Sequence, residues 1–444
     1  MGLGSAIIEL KQNAGNNGKY REAVLYACTR DTCFDAQTED GRQYYLYEAI
    51  DLVGGNEYFL KAIIARMKTA DAYNLVAHLA GLLYVFWDKG YNTSGTAIQE
   101  KFNDCLSKII RIRNMDKHRL FADTLTLLTL WLCDIYGIKG FYSCAEQIGQ
   151  ALRKCPDKDI ITLIWLIPNC KDKFGSSFIE RFEKKALKSD GVRVLFDKWK
   201  QEDYDDRHGL KEPRTIRPEP ALDEVMLLAA DGQRMSRRKL FSIGARISGE
   251  SSSELRLEIA RKIDESDEED IKARLMTVFS RCDYPYSVEK LLLIYERSAN
   301  DLKAQTLKAM ARFTDKHVHA IAVKNLAHGV HIVESMGLLI NNFDDDYDLV
   351  YNVQKSLTSV RDHENYHGIA MSIRDIFKGK RDKNALKILL HCYHNCRCSF
   401  CRNSIVEIMC KHKIIPDNIL EECLYDCVWD TRKLARKYNL DSRK

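Results

Sequence analysis

The stretch His-Cys-Tyr-His-Asn-Cys-Arg-Cys-Ser-Phe-Cys-Arg-Asn, His391 to Asn403, holds four cysteines and two histidines. Cys392 and Cys396 stand four apart, and Cys398 and Cys401 form a Cys-x-x-Cys. Zinc needs thiolate or imidazole donors that converge tetrahedrally, so Cys392, Cys396, Cys398 and Cys401 are the candidate metal ligands, with His391 and His394 nearby. A plainer role competes. Cys392 falls within the apolar run "ALKILLHCY", Cys401 takes a position that Ile and Leu fill elsewhere, and Cys410, Cys423 and Cys427 continue the habit in later helices. Buried cysteine serves well as a small hydrophobe. Helix packing is therefore the first expectation, with no cofactor, and metal binding is the alternative.

Other chemistry is sparse. The segment "RDIFKGKRDK" places Arg374, Lys378, Lys380, Arg381 and Lys383 around one turn, and "RMSRRKLF" from Arg234 is a second basic grouping. Such turns aligned along a surface can follow phosphates, although charged turns are commonly just solvated faces. "NNFDDDYDL" alternates Asp344, Asp346 and Asp348 as a calcium loop does, but Leu349 stands where that loop needs Gly and Lys355 where it needs Glu. "GNNGKY" from Gly15 ends on Tyr20 and makes a poor phosphate loop, and "GLGS" at Gly2 follows no strand. With no His-Glu-x-x-His or Gly-x-Ser-x-Gly, no catalytic residue is assigned and an enzyme is not expected.

The elements that carry these residues read as helices. The chain has 444 residues, 45% of them hydrophobic, with only 7 prolines and 23 glycines, which disfavours both a turn-rich β-protein and low-complexity disorder. Its 68 Lys and Arg against 63 acidic residues leave a formal charge of +5, which demands neither nucleic acid nor an anionic membrane as partner. The N-terminal stretch does not read as a secretory signal. The run "LTLLTLWLC" from Leu125 is too short to span a bilayer, so no membrane partner is expected. Fifteen cysteines in an unexported chain are expected to stay reduced, which gives a cytoplasmic location.

Apolar residues recur at three and four residue spacing in "YREAVLYACT", "YFLKAIIARMK" and "NLVAHLAGLLYVFW", with short polar or glycine-bearing connections. The spacing makes most N-terminal aromatics core residues, and Trp131 and Trp165 are expected to be buried. From Gln201 to Glu219 the apolar content falls and prolines gather. The expected organisation is an irregular helical half over 1–200, a linker over 201–220 and a regular half over 221–444. In that regular half Ile271 aligns with Leu302, Met276 with Leu307 and Phe279 with Met310, an offset of about 31 residues that suits helical repeats. Further copies begin at His331 and Tyr366, and the cysteine stretch opens another, in which Val406 and Met409 take the places of Met276 and Phe279.

These repeats resemble HEAT-type helical repeats, including the short bacterial kind of phycobilisome-lyase-like proteins, from about Arg238 to Tyr438. The resemblance implies an all-α fold, an α-solenoid of stacked antiparallel helix pairs whose concave face binds another macromolecule. The expected function is that of a non-enzymatic adaptor or scaffold for a protein partner. Alternatives are a nucleic-acid-binding solenoid, or a metal-dependent sensor built on the cysteines. A likeness to HEAT-like DNA glycosylases would give Asp134, close to Trp131, a role among aromatics.

Overall fold

A computed structural model of the chain describes residues 2–13, 16–32, 41–112, 114–156, 158–207, 220–357, 363–379 and 382–441. The fold is all-α. Every regular element among the described residues is helical, and within each unit helices near in sequence pack on one another, the stacking of an α-solenoid. No described helix is long and apolar enough to cross a membrane.

The chain forms two compact units. One comprises Met1–Pro213 together with Asn418–Lys444, and the other comprises Arg214–Asp417. Most of the segment expected as a linker, 208–219, lies outside the described residues, while its first residues complete the helix Asp190–Arg207.

In the Arg214–Asp417 unit the helices form two layers. The helices Asn300–Met310, Ile332–Asn342, His363–Phe377 and Ser399–Lys411 pack successively in one layer, and Lys316–Ala327, Tyr347–Ser356 and Leu386–Asn395 do so in the other. The helix Asn300–Met310 shows why. It buries Leu302, Thr306, Leu307, Ala309 and Met310, an apolar face too broad for one partner, so it needs both the preceding and the following repeat. Polar side chains fix the turns. Asn342, 9% exposed, donates to the Phe313 and Leu338 carbonyls at 2.8 Å each and accepts the Asp315 N–H at 2.8 Å. Asp315 in turn caps the next helix by accepting from the His317 and Val318 N–H groups. Within the acidic run, Asp346 accepts the Asp344 N–H at 3.1 Å and faces the His319 ring at 2.9 Å.

The other unit has one continuous core from Ile7 to Phe196 that also takes in Cys427 and Val428. The segment from Asn418 returns to the first helices. Cys427 N–H donates to the Gly2 carbonyl at 3.0 Å, Trp429 lies 5.9 Å from the Tyr44 ring, and the Lys11 ammonium sits 4.0 Å over Tyr425. This approach requires glycine at position 4, where a Cβ would come within 1.8 Å of the Glu422 carbonyl oxygen. Among the aromatics, Tyr45, Phe59 and Phe86 are buried, but contrary to expectation Tyr44, Tyr47, Tyr84, Trp87 and Trp131 are only half-buried, Tyr58 is exposed and Trp165 is 64% exposed. Its helix, Leu163–Phe174, buries Leu163, Leu166, Ile167 and Cys170, and that stripe turns Trp165 to the opposite face.

One charge is deeply placed in this unit. The Lys101 side chain is 1% exposed and meets Asp104 at 2.9 Å and Asp71 at 3.3 Å, and Lys108 pairs with both acids. Burial raises both carboxyls, but hydrogen bonds from Lys101 and Lys108 outweigh it and hold them below their ordinary value of 3.8. Their contribution is thus complete above that value and is lost as the pH falls through the lowered folded values. Replacing both, Asp71→Asn with Asp104→Asn, is expected to cost about 3 kcal/mol, the low end for breaking a buried pair because the acids are partly solvated. Urea denaturation at neutral pH measures it, and an unchanged midpoint in the double variant would show that Lys101 does not depend on the pair.

Candidate metal centre

The cysteine stretch spans a helix end, a tight connection and a helix start. Cys392 lies in the last turn of Leu386–Asn395 and is fully buried. Cys396 ends that helix, its N–H donating to the Cys392 carbonyl at 2.9 Å. Cys398 is the residue before the helix Ser399–Lys411, and its carbonyl accepts the Arg402 N–H at 3.0 Å. Only Arg397 separates the two, so the reversal brings Cys396, Cys398 and Cys401 together. Arg402, 1% exposed, braces the turn from inside, its Nη1 donating to the Cys396 carbonyl at 3.1 Å and the Arg397 carbonyl at 3.0 Å.

A fourth donor arrives from the preceding repeat. His367, on the helix His363–Phe377, places Nδ1 at 3.5 Å from the Cys401 Sγ. The donor atoms of His367, Cys398 and Cys401 all lie within 4.8 Å of one another. Cys396 joins them by hydrogen bonds with Cys401 and His367, and Cys392 stands behind it as a further thiol donor. Zinc with Zn–S near 2.3 Å and Zn–N near 2.0–2.1 Å would set tetrahedral S···N separations at about 3.6 Å. The observed pair is already close to that distance.

The electrostatics divide the sulfurs into two kinds. Hydrogen bonds from the Cys392 and Cys401 thiols draw Cys396 far below the ordinary thiol value, against the opposing effect of burial. A hydrogen bond from Cys401 likewise lowers Cys398. Cys392 and Cys401, as the donors, are pushed up. His367 is raised first by its hydrogen bond with Cys396, and the Arg402 charge favours the thiolate at Cys392. The site therefore gathers two thiols that ionise readily, Cys396 and Cys398, beside the His367 imidazole, and these are donor types that a divalent cation takes. Two sulfurs and one imidazole converge, with Cys396 hydrogen-bonded beside them as the nearest further thiol, and no carboxylate of the described residues joins the group, a donor set suited to zinc.

The other sequence candidates are placed as follows. His391 hydrogen-bonds the Tyr366 hydroxyl at 3.0 Å and His394 packs on the Tyr393 ring, so the two histidines of the motif are engaged elsewhere. Arg374 forms a two-pronged pair with Asp375 at 2.8 and 3.0 Å. Lys378 and Lys383 are exposed, and Lys380 and Arg381 lie outside the described residues. Asp134 pairs with Lys173. His367 escaped the sequence reading, yet a signal existed: it lies 34 residues before Cys401, about one repeat back.

No protein-family model, curated protein or solved structure matches the chain.

Arg402 gives a test of the turn itself. Arg402→Met removes the donors to two carbonyls and is expected to cost about 2 kcal/mol, the balance of lost charged hydrogen bonds against relief of a buried charge. Chemical denaturation of the full chain checks it; an unchanged midpoint would mean that the turn holds without its guanidinium.

Proposed function

We propose that the chain is a helical-repeat scaffold in which a zinc ion clasps two successive repeats, held by His367, Cys396, Cys398 and Cys401. The observation that carries this reading is the convergence of the His367, Cys398 and Cys401 donor atoms within 4.8 Å from two different repeats. With Cys396 taking the fourth place, the coordination shell would be closed by protein donors, which is the arrangement of a structural rather than a catalytic centre. The ion would join the helices His363–Phe377 and Ser399–Lys411 at the turn between Asn395 and Ser399, which is too short to contain an apolar core of its own. Its binding free energy would then be stability of these repeats, and oxidation or chelation would loosen them. A metal-dependent sensor and a metal-stapled scaffold share this chemistry.

The scaffold part of the proposal rests on the stacked helix pairs and on the resemblance to HEAT-type repeats of bacterial origin. Such stacks present several helices side by side to a partner, and a protein partner is the reading adopted here. A reducing cytoplasmic setting would suit the site, since all described cysteines are free thiols.

Protein purified without chelator is expected to contain about one zinc per chain by elemental analysis, and Cys398→Ser with Cys401→Ser to contain none. Cobalt should give the visible bands of a tetrahedral thiolate site. Metal-free protein that takes up neither ion when reduced would end the zinc reading. For the partner, affinity purification from native lysate with nuclease and high salt is expected to retain a defined protein; recovery of nucleic acid alone, lost with salt, would replace it.

A further inference from the structure

The basic grouping at Arg234 opens a helix, Arg234–Arg246, whose first turn contains no acidic residue. Arg234, Arg237 and Arg238 therefore crowd positive charge at the end of the helix where the backbone dipole is already positive. Helix stability alone would select the opposite sign. Their side chains are not scattered. With Phe241 and Ser242 they form one wall of a cavity of about 660 Å³, completed by Thr277 and Ser280 from the next repeat and Gln305 and Lys308 from the one after.

Among the described residues no carboxylate lines this cavity. Asp301 holds Arg237 at 2.8 and 2.9 Å, and Glu334 approaches Lys308 at 3.5 Å. Arg234 and Arg238 are exposed and make no ion pair with another described residue. Gln305 is 6% exposed, lines the cavity and makes no side-chain hydrogen bond with any described residue. Its amide is not among the buried groups left without a partner and so opens into the cavity, where it can meet a ligand. Phe241 is 43% exposed, and the Arg281 guanidinium lies 4.8 Å from its ring centroid.

We propose that this cavity binds a phosphorylated nucleoside. Arg234, Arg238 and Lys308 take the phosphoryl oxygens, Gln305 donates its amide from the floor, and the base stacks on Phe241. A cavity of this volume is of small-molecule size and far exceeds what inorganic phosphate needs. The flat ring supported by a guanidinium supplies the second half of the recognition, because bases stack on aromatic faces with little regard to sequence. The nucleotide is either free or one unit of a single-stranded nucleic acid, and the phosphate and base chemistry is common to both. The site shares no residue with the metal centre and does not rest on it.

Fluorescence titration of the full chain tests the proposal, with a fluorescent ATP analogue in one arm and a short labelled oligothymidylate in the other. Saturable, salt-weakened binding is expected in at least one arm. Binding of both supports a nucleotide unit from either source, the oligomer alone assigns single-stranded nucleic acid, and the ATP analogue alone assigns a free nucleotide. Arg234→Glu with Arg238→Glu should weaken binding about tenfold or more through lost charged contacts, while Lys378→Glu with Lys383→Glu changes the net charge equally and should leave it intact. Phe241→Ala should weaken the nucleotide several-fold but leave competition by pyrophosphate unchanged. All replaced side chains are exposed, and circular dichroism verifies that the variants fold. No binding in either arm, equal losses from the two charge-reversal pairs, or no effect of Phe241→Ala would each overturn the assignment.

Discussion

A helix with apolar groups on two sides cannot be covered by one partner, and that constraint organises the molecule. Leu302, Leu307 and Met310 on one helix, and Met336, Leu338 and Leu339 on the next in the same layer, are buried because each helix lies between two others. Stability in such a stack is a sum of neighbour interfaces. Any interface that cannot be filled by hydrocarbon must be held in some other way. At the turn between Asn395 and Ser399 the residues available are sulfurs, an imidazole and a buried guanidinium, and there the donor atoms of His367, Cys398 and Cys401 come within 4.8 Å of one another.

Polar side chains do for register what the apolar faces cannot. Leucine and methionine packing tolerates a sliding neighbour, whereas Asn342, bonded at once to Phe313, Leu338 and Asp315, tolerates one position only. Asn325 works similarly, donating to Ser335 at 3.1 Å and accepting from the Tyr295 hydroxyl at 3.1 Å. Arg402 extends this logic to the cysteine turn, where it determines which way the carbonyls face and so how the thiols are presented. Buried polar groups of this kind are expensive when mispaired, and so they discriminate against neighbouring registers.

Helical periodicity is a local property, and the sequence displays it clearly: the all-α stack and its layered repeats were legible from apolar spacing alone. Position within a helix was less secure. Trp165 sits in an apolar stretch, yet the stripe from Leu163 to Cys170 leaves it on the outside, since hydrophobicity of a window does not tell which face is covered. The cysteine cluster was visible as composition, but its imidazole was not, because His391 and His394 were adjacent in sequence and His367 was adjacent only in space. Repeat arithmetic was the one route to it. The return of the segment from Asn418 to the first helices could not be read either, for its pattern simply continues the preceding repeats.

That returning segment has a kinetic consequence. The contact between Gly2 and Cys427 spans nearly the whole chain, whereas most interfaces of a helix stack join near neighbours. Loop-closure entropy rises only slowly with length, so the equilibrium penalty is modest, but the order of events is constrained. During synthesis the helices up to Arg207 emerge first and wait, with Gly4 uncovered, until the ribosome has delivered Glu422 to Trp429. Until then the first unit has an unfinished flank of the sort that invites mispairing with other chains. A repeat array of strictly local contacts can fold as it is made; this unit waits for a segment made long after its first helices.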